Sequence, residues 1–302
     1  MISVKELEKK DIAEILKKRQ RDTHKGTYGT VNAIVGSSTY RGAAVLATMG
    51  MLRAGVGIAR ICSVGEVCTA VIGAYPSATL CPLNSNAAGM ISAESSRKLN
   101  EICRVPSVTL VGCGIGQSTD TANVVNSVIS GCNGGLVIDA DGLNLIALSG
   151  SAEQLLRSKP KGKCIITPHM GEMSRLCGKS VSRIKEDPVA VATEFTESNG
   201  CVTVLKDSQT VIAVPDTDSK GTRIYRSSFG NPGLARGGSG DVLAGLIAGF
   251  YAQGYTSEES AVLGVLTHGI SADLCAAERS MQAMLPSDLD EYICRLFASL
   301  GY

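Results

Sequence analysis

Short apolar runs, each too short for a helix and each ending in a polar loop, recur along this chain. Residues 31–35 stop at Gly36-Ser37-Ser38, 107–111 at Gly112-Cys113-Gly114-Ile115-Gly116, 136–138 at Asp139-Ala140-Asp141-Gly142, 164–166 at Thr167-Pro168-His169, and 201–205 at Lys206-Asp207-Ser208-Gln209. Helix-forming stretches follow the first four, at 43–54, 119–129, 143–148 and after Glu172. Strand, polar loop and helix in that repeated order predict an α/β fold, a mostly parallel central sheet covered by helices on both faces. Parallel strands cannot be joined by hairpins, and burial on both faces makes them continuously apolar rather than alternating. Ligands in such sheets bind beyond the carboxyl ends of the strands, so the five loops are expected to converge on one crevice.

The remaining stretches fit around that core. Val4, Leu7, Ile12, Ile15 and Leu16 fall at helical spacing and predict an amphipathic helix over 4–20. Residues 58–62 read as a strand, 76–89 show no pattern, and 92–103 and 188–198 read as helices. Runs 201–205 and 210–214 flank Lys206 to Gln209 as a hairpin, 223–226 is a further strand, and helices are predicted over 242–253, 257–277 and 286–300. With no internal repeat or Pro/Ser-rich linker, one domain over 1–302 is expected. Aromatics are 4% with no Trp, so the core must be built from Ala, Val, Leu and Ile. A net charge of +1 leaves no electrostatic footprint for nucleic acid or an acidic membrane. The 11 cysteines include no Cys-x-x-Cys pair and lie mostly in apolar runs, as reduced thiols acting as small hydrophobes would. The N-terminus lacks the apolar core of a signal peptide, and the longest apolar stretches are broken by Arg53 or by Gln253-Gly254. A soluble cytoplasmic protein with no bilayer-spanning stretch is expected.

The stretch richest in chemistry is Asn231-Pro232-Gly233-Leu234-Ala235-Arg236-Gly237-Gly238-Ser239-Gly240-Asp241, which runs into an apolar helix. Glycines around one serine let backbone N–H groups converge at a helix N-terminus, which suits an anion. Asp241 would repel that anion. It is either a base that takes a proton from a hydroxyl attacking a held phosphorus, or a helix N-cap, and this stretch alone leaves both open. Lys206 either covers phosphates or is a solvated turn lysine. Asp139 and Asp141 either bind metal or cap the next helix, so the metal ligands stay unassigned. His169, at a strand end, is placed to hydrogen-bond a substrate; His268, in an apolar helix, reads as a satisfied core histidine.

Taken together, several motifs resemble the nucleotide-dependent NAD(P)H-hydrate dehydratases. They are Lys25-Gly26-x-Tyr28-Gly29, Val35-Gly36-Ser37-Ser38 with Gly42-Ala43, Gly112-x-Gly114-x-Gly116, Asp139-Ala140-Asp141-Gly142-Leu143-Asn144, Thr167-Pro168-His169-x-Gly171-Glu172, Leu205-Lys206-x-x-x-Thr210 and Asn231-Pro232-Gly233-x-Ala235-x-Gly237-Gly238-Ser239-Gly240-Asp241. The resemblance spans nearly the whole chain. It implies a ribokinase-like fold and the repair of NADH or NADPH hydrated at C6, as the dehydratase alone without an epimerase domain. It implies that Ala43, Gly114, Gly116, His169 and Asp241 contact the hydrated dinucleotide. It further implies that Lys206, Asp207, Ser208, Gln209 and Thr210, with Gly237, Gly238, Ser239 and Gly240, hold ADP or ATP, with Asp241 as catalytic base. A homotetramer and functional partnership with a separate epimerase are also implied. Mg²⁺ is expected because phosphoryl transfer needs its charge neutralised. The chain departs from the family pattern at Ser37, Arg41, Cys113 in place of Pro, and Asp207 in place of Gly. A vitamin-precursor kinase of the same fold is the alternative reading.

Overall fold

In the computed structural model, which describes residues 3–105, 107–217 and 221–302, ten strands form one sheet. They are β1 (Val4–Glu6), β2 (Thr30–Ile34), β3 (Ile58–Ser63), β4 (Thr79–Pro82), β5 (Val108–Val111), β6 (Gly135–Ile138), β7 (Cys164–Ile166), β8 (Val202–Leu205), β9 (Thr210–Pro215) and β10 (Thr222–Ser227). Their order across the sheet is β1-β10-β9-β8-β7-β6-β5-β2-β3-β4. Among the described residues only β9 runs against its neighbours, β8 and β10; every other pair is parallel. The expected fold class therefore holds. The central strands β5, β7 and β8 are buried at every residue, as strands covered on both faces must be.

Two groups of helices cover the sheet. Lys9–Ile15, Arg41–Ala54, Gly65–Ala74, Ser239–Ala252, Ser257–Arg279 and Leu289–Ser299 pack among themselves, and the seven helices between Ser96 and Asn199 form the other group. Both groups meet the sheet, and the extensive helix–helix packing lies within each group, which places them on opposite faces.

The central pair, Arg41–Ala54 and Ser239–Ala252, touches backbone to backbone. A Cβ on Gly245 would lie 2.2 Å from the Ala47 carbonyl oxygen, and one on Gly50 would lie 2.4 Å from that of Val242. The small residues spread along both helices permit this approach, which fixes the end of the helix that carries Asp241. Gly245→Ala is expected to cost about 2 kcal/mol, because the overpacking outweighs alanine's better helix propensity. A urea titration reads this as a lowered midpoint, and an unchanged midpoint would contradict so close a contact.

Three expectations are corrected. Residues 4–6 are not helical but form edge strand β1 on β10, with Val4 opposite Ile224, and the helix is confined to Lys9–Ile15. The unpaired polar groups of β10 offered the segment a partner that helical spacing could not reveal. The unpatterned stretch holds edge strand β4, and the helix Gly65–Ala74 before it went unread because Val67, Thr69, Val71 and Ile72 carry a β-branched signal. Finally, the helix Ser257–Arg279 is long and apolar enough to cross a bilayer, but 78% of its apolar window is buried inside the fold. It is a core helix.

Candidate active site

The glycine loop ends at Gly238, whose φ of 102° is left-handed, and the helix Ser239–Ala252 begins directly after it. This start lies three residues earlier than expected. Gly238, not Asp241, occupies the cap position, and no side chain caps the helix. The capping reading of Asp241 therefore falls away; the Ser239 N–H donates to the Arg236 carbonyl at 3.3 Å, and the Gly240 and Asp241 N–H groups are left for a ligand. Asp241 sits within that first turn, facing a crevice.

Opposite stand groups from three adjacent strand ends. Asp139 follows β6, Thr167 follows β7 and Lys206 follows β8, so parallel pairing alone brings them together. Thr167 Oγ1 donates to Asp139 Oδ1 at 2.7 Å, and Lys206 Nζ donates to the same oxygen at 2.8 Å. The Lys206 ammonium also lies 3.9 Å from the Glu172 carboxylate. The Lys206 N–H donates to the Pro168 carbonyl at 2.8 Å, which anchors its backbone to the His169 loop and turns the side chain inward. It is not a solvated turn lysine. A Cβ on Gly240 would stand 3.3 Å from Nζ, so the ammonium lies against the glycine loop.

Burial sets the electrostatics. It pushes the Asp241 carboxyl up to about 7; the nearby Asp139 carboxylate adds to this, while the Cys113 thiol and Lys206 pull the other way. Burial also raises Glu172 against the pull of Lys206. For Lys206 burial acts downward, but Asp139 and Glu172 outweigh it and hold the ammonium charged. Cys113 is fully buried, with its sulfur 3.8 Å from Asp139 Oδ2; burial, then Asp241 and Asp139, keep it a neutral thiol. The ligand atoms of Cys113, Asp139 and Asp241 lie within 4.8 Å of one another. A hard cation such as Mg²⁺ would take the carboxylate oxygens and leave the sulfur aside.

The crevice measures 790 Å³, and Asp139, His169, Lys206 and Asp241 line it. Asp207, Ser208, Thr210, Gly238, Ser239 and Gly240 also line it, whereas Gln209 and Gly237 do not. His169 Nδ1 accepts from the Gly171 and Glu172 N–H groups, so this residue caps the helix Met170–Cys177 while its ring stays about half exposed. Burial and Lys206 lower its pKa. Ala43, Gly114 and Gly116 lie apart from this crevice. A Cβ on Gly114 would stand 2.7 Å from Ala43 Cβ, and the Gly116 N–H donates to Asp141 Oδ2 at 2.9 Å. That bond ties this neighbouring wall to the loop bearing Asp139.

The structure adds residues that the sequence did not single out. Thr167 and Glu172 belong to the buried charge network. His268 lines the crevice with Nε2 unpartnered, which corrects its reading as a satisfied core histidine. Its pKa falls to about 4 because of burial. A polar residue amid an apolar helix was the only signal.

The family model described as NAD(P)H-hydrate dehydratase matches residues 31–295. The chain belongs to the NAD(P)H-hydrate dehydratase family. It is 33% identical over 282 residues to the bifunctional NAD(P)H-hydrate repair enzyme of Thermofilum pendens, covering 93% of this chain and 52% of that protein. The chain thus spans about half the length of such bifunctional relatives. It is 32% identical to the ADP-dependent (S)-NAD(P)H-hydrate dehydratase of Neisseria meningitidis, over 90% of this chain and 85% of that one. The ADP/ATP-dependent NAD(P)H-hydrate dehydratase from Bacillus subtilis, co-crystallised with ATP and Mg²⁺, superposes with a TM-score of 0.83 at 28% identity, covering 99% of this chain and 100% of that one. The fold of this dehydratase family member is ribokinase-like.

Proposed function

We propose that this chain is a hydro-lyase that converts the S epimer of C6-hydrated NADH or NADPH back to the reduced dinucleotide at the expense of an adenine nucleotide. The observation that carries this reading is a partly buried carboxylate, Asp241, set in the first turn of an uncapped helix behind Gly238. The helix start favours a phosphoryl group, and the carboxylate has a pKa suited to taking a proton near neutral pH.

Hydroxide is a poor leaving group, so the C6 hydroxyl is first made into a phosphate ester. Asp241 takes the hydroxyl proton as its oxygen attacks the terminal phosphorus, and the nucleotide leaves one phosphate shorter, AMP from ADP being the favoured course. The loop Gly237, Gly238, Ser239 and Gly240, with Lys206, stabilises the charge on the transferring group. Phosphate then departs, driven by the ring nitrogen's lone pair, and loss of a C5 proton restores the C5–C6 double bond. Ala43, Gly114, Gly116 and His169 hold the dinucleotide in this reading, and Lys206, Asp207, Ser208, Gln209 and Thr210 the nucleotide. Magnesium fits the oxygens of Asp139 and Asp241, where it would neutralise phosphate charge. Tetrameric assembly, a cytoplasmic location and a partner epimerase for the other hydrate epimer belong to the same proposal.

The test combines the protein with hydrated NADH, Mg²⁺ and either ADP or ATP. Reduced-nicotinamide absorbance should return with one phosphate released per turnover, and the faster nucleotide is the donor. A phosphorylated product that accumulates without phosphate release would instead make the chain a kinase of the same fold.

A further inference from the structure

Cys62 and Cys81 are distant in the chain but stand side by side in the sheet. Cys62 lies on β3 and Cys81 on edge strand β4, and the parallel register sets one directly against the other. Residues paired in this way point to the same face, on strands about 4.8 Å apart. A disulfide joins Cα atoms roughly 4.4–6.8 Å apart, so the pairing already meets the distance that a bridge needs. Both thiols are free.

Their surroundings are unequal. Cys62 is fully buried, whereas Cys81 is 9% exposed on the outermost strand. Lys98, on the helix Ser96–Cys103, donates from Nζ to the Pro82 carbonyl at 2.8 Å, which holds its ammonium one residue from Cys81. A hydrogen bond from the Cys62 thiol, aided by Lys98 and Arg60, lowers the Cys81 pKa against the opposing effect of burial. The same contact, with burial, pushes Cys62 up. Elsewhere burial raises thiols, Cys103 to about 11 and Cys201 to about 12, as suits inert core cysteines.

The thiolate is the reactive form of cysteine, and a neutral thiol in contact with it is placed to resolve the oxidised product. We propose that Cys62 and Cys81 form an oxidisable dithiol, which a hydroperoxide converts to a disulfide between β3 and β4. With hydrogen peroxide, the Cys81 thiolate attacks one oxygen, the O–O bond breaks, and Cys81 sulfenic acid forms as hydroxide leaves. The Cys62 sulfur then attacks the Cys81 sulfur, and the sulfenic hydroxyl departs with the thiol proton as water. The two thiols lose two electrons in all, and the peroxide gains them. Neither cysteine lines the active-site crevice, so the inference is independent of what that crevice binds.

The test treats the full chain with hydrogen peroxide, alkylates the remaining thiols and cleaves the protein after glutamate. Glu66 lies between Cys62 and Cys68, so a bridge from Cys62 to Cys81 links two fragments that dithiothreitol separates. That link is expected, with Cys68, Cys103 and Cys201 still alkylated. Cys62→Ala should leave Cys81 as a sulfenic acid that dimedone labels, and Cys81→Ala should abolish the bridge and leave Cys62 unmodified. Hydrogen exchange across β4 should slow in the bridged protein, because the edge strand can no longer fray from β3. Other results overturn the proposal. If both thiols stay alkylatable while the exposed Cys294 oxidises, the pair is inert packing. If the bridge joins Cys68 to Cys81 or joins two chains, or if exchange across β4 quickens, the paired register is not the site of oxidation.

Discussion

Asp241→Asn should still bind adenine nucleotide while dehydration of the hydrate falls roughly 10²- to 10⁴-fold, the usual worth of a general base. The amide matches the carboxylate in size and sits in the same first helical turn, but it cannot take the hydroxyl proton. In the wild type kcat/KM should rise with pH as Asp241 ionises, at a pH below about 7 where Mg²⁺ is bound beside it, and the variant should lose that limb. The same substitution should stabilise the metal-free protein at pH 8. An unfolded aspartate ionises near 4, whereas the folded one, raised by burial and by Asp139, ionises near 7. The folded state therefore loses stability as pH climbs between those values, and asparagine is free of that loss. Three pKa units would amount to about 4 kcal/mol, and water in the crevice reduces this to about 2 kcal/mol. Paired kinetics and thermal melts at pH 5 and pH 8 check both halves. A variant with wild-type turnover, or one less stable at pH 8, would remove Asp241 from the role of a base with a raised pKa.

Lys206→Met should damage both stability and binding. The ammonium is the cation shared by Asp139 and Glu172, whose side chains are 2% and 5% exposed. Removing it leaves two neighbouring buried carboxylates without their shared cation, a loss of about 3 kcal/mol at pH 8, the low end for a broken buried pair because Lys206 itself reaches solvent. Glu172 is already raised by burial, and without Lys206 it rises further. Protonation then relieves the repulsion, so the destabilisation should shrink at pH 5, where the folded state takes up the proton that the unfolded chain holds less tightly. Nucleotide affinity should fall as well, since the ammonium lies against Gly240. Equal stability of variant and wild type at pH 8 would show that the two carboxylates do not depend on this lysine.

Much of this site was legible before any coordinates. The alternation of apolar runs with polar loops set which residues stand at strand ends, and the parallel register of β6, β7 and β8 then made Asp139, Thr167 and Lys206 neighbours. The glycine loop marked a helix N-terminus, though its boundary lay three residues off. Capping chemistry is ambiguous in sequence because an aspartate suits both a cap and a base, and only the left-handed Gly238 at the cap position separates them. Edge strands β1 and β4 were hidden for another reason. Their pairing supplies the ordering energy, and the local residues carry little of it.

The sequence by itself determined the layered α/β fold, the motif set that defines the family and three of the five loops expected in the crevice, those after β6, β7 and β8, because periodicity and glycine placement are local properties of the chain; the loops 36–38 and 112–116 do not line it. Tertiary structure alone decided the ionisation of Asp241, the inward turn of Lys206 and the orphaned Nε2 of His268. Those depend on which groups from distant segments share one low-dielectric space, and spacing along a chain does not encode that.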